Sequence, residues 1–264
     1  MKRILDIIFW IGLAAYFLIA MSFVSARQGG IVCTSVEACI LDSLHSRFVT
    51  VRDILRVADH PTRKLRGKLL DSIHAAKLEE QLVQMPPVLH AEVYKTADGT
   101  VHVDVTQRTP VLRIINRYGE SYYLDESGQA LRHADRYSVH VLVANGHIDR
   151  RAPDSKGFRV LHASPTNGKR DIIRELFRLA LWMKDNRFWN AQIQQIYVNA
   201  DGDIELIPRV GSHVILFGKG DRIDEKFAKL EALYRNGLNV AGWNRYDAIN
   251  LKYDGQIVCT KREQ

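Results

Sequence analysis

Residues 101–131 constrain the fold most strongly, because two strand patterns meet there at a proline. The first seven positions alternate valine with polar residues, which is the period of a strand that packs one face on a core. Pro110 lacks a backbone N–H and disfavours helical backbone at Thr109, so this strand cannot simply continue in the same ladder. A second apolar run follows at 111–115. The segment therefore predicts the last strand of one small domain followed by the first hairpin of another.

Two glycine turns define that hairpin. Asn116–Gly119 and Asp125–Gly128 each place a glycine where a turn can require positive φ. Tyr122–Leu124 lies between them as a short strand candidate. The pattern predicts a β-rich domain that opens with closely spaced strands.

The residues before Pro110 predict a strand-helix-helix-strand-strand unit. A short strand is expected at 36–40, and a first helix follows Thr50, which can form a capping box with Asp53. A second helix is expected at 72–84. The turn 97–99 joins two further strands, at 88–94 and 101–107. The first strand is expected to leave a sheet edge open to a partner.

The residues after Pro110 predict a mixed sheet of several antiparallel strands with helices on one side. Helices are expected from Asp171 to Lys184 and after Asp221, which is expected to cap the helix that Asn236–Gly237 ends. Polar residues 149–170 indicate a surface loop. Strands are expected at 139–144, 192–199, 204–208, 213–217, 248–253 and 256–260, and the last two form a hairpin across 254–255.

The amino-terminal segment 4–24 has the length of a membrane span. Its last 18 residues, Ile7–Val24, carry no charge, and 21 residues of helix extend roughly 31 Å, close to the thickness of the hydrocarbon core. Lys2 and Arg3 favour a cytoplasmic tail at 1–3, with a linker at 25–31 outside. A signal peptide cleaved near Ala26 is the alternative, although the apolar core of a signal peptide is normally shorter.

The composition argues against nucleic-acid binding and against a fold held together by disulfides or zinc. A net charge of +7 over 264 residues is too dilute to indicate nucleic-acid binding. Three cysteines are too few for a disulfide scaffold and lack zinc-site spacing. Cys33 and Cys39 could form a local bridge, although three buried thiols are preferred.

The sequence outside the membrane segment lacks the common catalytic motifs, such as Gly-x-Ser-x-Gly, His-Glu-x-x-His and the phosphate-binding loop. Gly218–Asp221 is better explained as a strand-to-helix turn, and Asn199–Asp203 as a hairpin turn. His102 and His213 are expected at the surface, and Trp182, Phe188, Trp189 and Trp243 in a core rather than on a sugar platform. We therefore predict no catalytic, cofactor-binding or metal-binding residues, and no enzyme.

Several motifs together resemble one bacterial family. Gln107–Val111 and Tyr122–Gly128 are similar to the segments where the first domain of the cell-division protein family FtsQ/DivIB ends and its β domain begins. Residues 188–199, 205–211, 249–253 and 256–260 are close to the Bacteroidetes branch of this family. The resemblance covers essentially the whole chain.

The resemblance implies a fold and a function. The fold is α+β: one transmembrane helix, a POTRA domain (β-α-α-β-β) at 32–109 and a mixed antiparallel β domain at 110–264. Members are non-enzymatic organisers of the divisome that span the inner membrane once, with most of the chain in the periplasm at the division septum. They bind the bitopic proteins FtsB and FtsL, and help recruit and regulate the septal peptidoglycan synthases FtsW and FtsI. No cofactor and no nucleic-acid partner are implied.

The resemblance also implies a partner-binding strand edge. Lys252, Tyr253 and Gly255 match the basic residue, tyrosine and turn glycine of the strand motif that binds FtsB in the family. Gln256, Ile257 and Val258 follow in the predicted last strand, whose free ladder edge can accept a partner strand. An edge covered by a loop, or protected by Lys252 and Lys261, is the alternative.

Two functions from other classes stay open. One is a secreted or anchored POTRA module for outer-membrane export, which predicts cleavage after Ala26. The other is an extracytoplasmic carbohydrate-active enzyme, which requires paired carboxylates that converge in a cleft. The sequence contains no such pair at recognisable spacing.

Overall fold

The computed structural model describes residues 9–19, 30–42, 48–62, 64–132, 138–154, 158–160 and 170–262. Residues 9–19 are helical (α1). Within the described residues, no helix is both long enough and apolar enough to cross a membrane. The predicted tail 1–3 lies outside the described residues, as do parts of the predicted span 4–24 and linker 25–31.

The chain divides into two compact units, Met1–Gln107 and Arg108–Gln264, here called unit 1 and unit 2. Unit 1 contains β1 (Ser35–Ile40), α2 (Val51–Ala58), α3 (Ala75–Val83), β2 (Val88–Lys95) and β3 (Thr100–Gln107). The strands form a sheet in the order β1-β3-β2, in which β1 is parallel to β3 and β2 is antiparallel to it. The predicted β-α-α-β-β order and the edge position of the first strand are confirmed.

Local sequence signals account for most of unit 1. Thr50 and Asp53 form the predicted capping box, in which each side chain accepts a backbone N–H of the other residue. The second helix is shorter than predicted, because Leu70–Ser72 forms a 3₁₀ turn and α3 begins only at Ala75. Buried valines of β3 pack with Ile54 and Leu82, so both helices cover one face of the sheet. The cysteines described are free thiols; Cys33 is buried but Cys39 is exposed.

Unit 2 is built on a nine-stranded mixed sheet in the order β12-β11-β10-β9-β8-β7-β4-β5-β6. The pairs β4–β7, β7–β8 and β10–β11 are parallel, and the other five are antiparallel. The strands are β4 (Pro110–Ile115), β5 (Ser121–Asp125), β6 (Ala130–Arg132), β7 (Leu142–Gly146), β8 (Ile193–Val198), β9 (Ile204–Pro208), β10 (Val214–Gly218), β11 (Tyr246–Asn250) and β12 (Val258–Lys261).

The helices of unit 2 are α4 (Ile172–Asp185), α5 (Arg187–Gln192), α6 (Ile223–Leu233) and α7 (Asn239–Ala241). The buried side chains of α4 and α6 share one core cluster with alternate residues of the strands, such as Leu112, Ile196 and Ile215. The intervening strand residues, including Arg113, Val143 and Gln195, alternate to the opposite face and are half-buried. We call this second face the outer face.

Several predicted features of unit 2 are wrong in detail. His213 was expected at the surface but is buried, because its ring packs against Tyr234 and Trp243. Asp221 does not cap α6; the N-cap is Arg222, and the Asp221 carboxylate accepts a bond from Lys226 Nζ at 2.7 Å. Phe188 is 47 % exposed, whereas Trp189 is buried as predicted.

The ends of several elements also differ from the prediction. The helix continues through Asn236–Gly237 as a π-helical turn, Tyr234–Leu238. Strand β7 includes Asn145–Gly146, which the sequence pattern indicates as a turn. In the last hairpin, β11 ends at Asn250 rather than at Tyr253, and β12 begins at Val258 rather than at Gln256. The loop predicted at 149–170 lies largely outside the described residues.

Candidate functional site

The last strand, β12, lies at one edge of the nine-stranded sheet. It pairs antiparallel with β11, with Ile249 opposite Cys259 and Asn250 opposite Val258. Because β12 ends the strand order, its other side has no strand partner among the described residues. An unpaired strand side presents N–H and C=O groups that can bond a strand from another chain.

The side chains of β12 alternate between the core and solvent. Cys259 is half-buried and packs against the core, whereas Val258 is 43 % exposed. Burial raises the pKa of the Cys259 thiol above its usual value, so the thiol stays protonated at neutral pH. The strand contains no proline or glycine, and Lys261 is its one charged residue. The strand is thus anchored through Cys259 and exposed at Val258, and its ladder with β11 is irregular between Tyr246 and Ala248.

The six residues predicted to bind a partner lie together, but only Val258 is in a strand. Lys252, Tyr253, Gly255 and Gln256 lie in the connection 251–257 between β11 and β12 and are exposed. Ile257 is half-buried against the core of unit 2. The surface made by these six residues, here called the β12 edge site, is therefore a short strand with the loop before it.

Lys252 is held over the neighbouring strands. Its Nζ lies 3.1 Å from Asp203 Oδ2, and its backbone N–H donates to Asn250 Oδ1 at 3.0 Å. Gly218, with φ +77°, leaves room for the Lys252 side chain, because a Cβ there would lie 2.7 Å from Lys252 Cγ. The lysine of the predicted motif therefore has a structural anchor in addition to its charge.

The backbone around Tyr253 is held in place by contacts with α6 and its N-cap, whereas the Tyr253 ring is exposed to solvent. Its carbonyl oxygen accepts a bond from Lys229 Nζ at 2.9 Å, and the next residue, Asp254, forms an ion pair with Arg222. The ring is 50 % exposed. Gly255 has φ +68°, a conformation that favours glycine and lets the chain turn into β12. The connection thus presents an aromatic side chain beside the strand edge.

The residues that fix this connection were not predicted from the sequence. Asp203, Arg222 and Lys229 lie far from it in the chain and reach it only through the folded sheet and α6. No spacing signal links a β-hairpin carboxylate to a lysine 49 residues later. Only the tertiary structure could have identified these three contacts.

The described residues contain no candidate metal centre. They contain no group of three or more His, Cys, Asp and Glu side chains that could hold a metal ion. The chemistry of the β12 edge site is that of main-chain hydrogen bonding, apolar contact and one positive charge. Such a site can bind a chain segment.

Comparison with protein families gives two matches. Residues 109–260, more than half of the 264-residue chain, match the family model "FtsQ/DivIB, C-terminal related". Residues 31–106 match a POTRA-like domain. A search of curated proteins returned no match. The FtsQ/DivIB and POTRA families are generally non-enzymatic. The chain therefore belongs to the FtsQ/DivIB family, and this membership indicates a role in cell division.

Proposed function

We propose that this protein is a non-enzymatic divisome scaffold that binds an FtsB-like protein through the β12 edge site. The observation that supports the proposal is the position of β12 at the end of the sheet, with one side unpaired among the described residues. A partner segment would add as a further strand. Its backbone would bond to Val258–Lys261, and its side chains would contact Val258 and the ring of Tyr253.

The scaffold role extends this contact to the other division proteins. We propose that an FtsL-like protein joins the same complex, and that the complex helps recruit and regulate the synthases FtsW and FtsI. Strand addition suits such assembly, because main-chain bonds supply affinity while alternate side chains supply selectivity. No catalytic step is needed.

We also propose that residues 4–24 anchor the protein in the inner membrane, with most of the chain in the periplasm at the division septum. Family membership supports a septal, membrane-associated location. The uncharged run Ile7–Val24 and the basic Lys2 and Arg3 support a single span with a cytoplasmic amino terminus. The proposed organisation is a tail at 1–3, a span at 4–24, a linker at 25–31, a POTRA domain at 32–109 and a β domain at 110–264.

Binding to the external segments of FtsB-like and FtsL-like proteins from the same organism tests this function. The full-length chain in non-ionic detergent is compared with Tyr253→Ala and with a matched control, Tyr118→Ala. Tyr118 is a turn residue of unit 2 with 47 % exposure, close to that of Tyr253. We expect at least a tenfold loss of affinity for Tyr253→Ala and little change for the control.

The outcomes separate the proposed site from the proposed role. Binding by the wild type that survives Tyr253→Ala would keep a divisome role and exclude this site. No binding by a folded wild type would contradict the scaffold proposal and favour the export or carbohydrate-active alternatives. A mature amino terminus at Arg27 would likewise contradict the retained anchor.

A further inference from the structure

Unit 2 has a second candidate surface, on the outer face of its sheet. A cleft of about 780 Å³ lies there, lined by residues of β4, β7 and β8 and by the segments that precede β7 and follow β9. The residues that matter most are Arg113, Ile115, Ser138, Asn145, Gln195 and Arg209. Its volume is in the range of cavities that bind drug-sized ligands or short peptides. None of the six residues of the β12 edge site lines it.

One wall of the cleft is fixed by polar contacts. The hydroxyl of Tyr123, a fully buried residue, accepts a bond from Val139 N–H at 3.2 Å and lies 3.3 Å from Ser138 Oγ. Arg113 donates to Ser138 Oγ at 3.1 Å and to Ser121 Oγ at 2.9 Å. The wall at 138–141 is thus bonded to the sheet, which gives a preformed cleft.

The cleft has a strong bias of charge. Among the described residues that line it there are two arginines and no aspartate or glutamate. Neither Arg113 nor Arg209 forms an ion pair with a carboxylate of the described part of the chain. Eight of the fourteen other described arginines in unit 2 have such a partner. A guanidinium without an internal ion pair can still donate charge-assisted hydrogen bonds to the carboxylate of a ligand.

The floor of the cleft suits a peptide. Gln195 Nε2 donates to Asn145 Oδ1 at 2.9 Å, so each carboxamide keeps a second polar group for a ligand. Ile115 and Val143 are half-buried aliphatic neighbours on the same face. Carboxamides between aliphatic side chains can bond peptide groups while the aliphatic surface accepts apolar side chains.

The side chains that line the cleft also argue against nucleic acids and acidic sugars as its ligands. No phenylalanine, tyrosine or tryptophan lines the cleft within the described residues. Bases of single-stranded nucleic acids bind by stacking on aromatic rings, and sugar rings commonly stack on the same side chains. We propose that this cleft binds an acidic peptide segment of a partner protein in extended conformation, with Arg113 and Arg209 pairing with its carboxylates.

A peptide-binding assay on the full-length chain in non-ionic detergent tests this inference. The probe is a fluorescein-labelled, end-blocked hexapeptide of alternating glutamate and valine, with glutamine replacing glutamate in its control. The diagnostic variant is Arg209→Gln, because Arg209 is exposed and its side chain forms no hydrogen bond within the described residues. Arg178→Gln is the matched control, since Arg178 is exposed on the helical layer and is likewise without an ion pair there.

We expect the acidic peptide to bind more tightly than the glutamine peptide, and Arg209→Gln to weaken it about tenfold. The Arg178→Gln variant should bind as the wild type does. Equal binding of both peptides, no binding of either, or an unaffected Arg209→Gln would overturn the inference. Competition by oligogalacturonate as strong as that by the unlabelled peptide would also overturn it, because it would indicate an anionic carbohydrate site. None of these outcomes depends on FtsB-like binding.

Discussion

Arg108 Nη1 donates to Asp125 Oδ2 at 2.9 Å, and the two side chains are 10 % and 3 % exposed. Asp125 Oδ1 accepts three further bonds, from Ser127 N, Ser127 Oγ and Gln129 N. The two residues come from the two motifs that resemble the family at the start of the β domain. The pair therefore joins the entry of unit 2 to its first hairpin.

Breaking this ion pair should destabilise unit 2. We expect Arg108→Met to lower the free energy of unfolding by about 3–5 kcal/mol, because Asp125 keeps a buried charge without its partner. Denaturant unfolding followed by tryptophan fluorescence measures the change, since Trp182, Trp189 and Trp243 lie in unit 2. The control is Glu126→Gln, which breaks an exposed pair with Lys184 and should cost less than about 1 kcal/mol. Equal effects of the two substitutions would show that burial does not set the energy of the Arg108 pair.

The stability of unit 2 should fall as the pH is lowered through the titration of His213. His213 Nε2 lies 2.9 Å from the Tyr234 hydroxyl, and burial lowers the pKa of His213 below its usual value of 6.5. The unfolded chain then binds a proton at a pH where the folded chain does not, so stability decreases below about pH 6.5. Unfolding at pH 7.5 and pH 5.5 measures the decrease.

The variant His213→Gln should show a smaller loss of stability between these two pH values than the wild type. Glutamine can keep a bond to Tyr234 but takes up no proton in this range. His147→Gln, at an exposed position in unit 2, controls for the substitution itself. An unchanged pH dependence in His213→Gln would mean that other groups control the acid sensitivity.

Gly146 should tolerate alanine much less well than Gly119. Both have positive φ, +102° and +80°, but a Cβ at Gly146 would lie 2.2 Å from the Val198 carbonyl oxygen, whereas a Cβ at Gly119 meets nothing within 4 Å. We expect Gly119→Ala to cost about 1–2 kcal/mol from backbone strain alone, and Gly146→Ala to cost more because β7 and β8 must separate. Thermal unfolding compares them; similar costs would exclude the steric contribution.

Local signals in the sequence predicted most elements. The Thr50–Asp53 capping box, the glycine turn before β3 and the proline at the start of β4 all lie where the pattern indicates. Each depends on residues a few positions apart, so backbone sterics and hydrogen bonding within a short segment decide the outcome. The family motifs added the order of the two domains.

Long-range contacts explain what the sequence did not predict. His213 is buried because Tyr234 comes from a helix 21 residues later. The paired part of the last hairpin is shorter than predicted, because Lys229 and Arg222 hold residues 253 and 254 away from the β11–β12 ladder. In each case a tertiary contact outweighs the preference of the local sequence.

Amide hydrogen exchange of β12 in the presence and absence of the FtsB-like external segment tests the central claim most directly. Strand addition predicts that saturating partner slows exchange in Val258–Lys261 at least tenfold, because the unpaired N–H groups of the edge become hydrogen-bonded. The opposite edge, β6 at Ala130–Arg132, serves as the internal control and should not change. Bound partner that leaves Val258–Lys261 unprotected, or that protects β6 instead, would contradict the account.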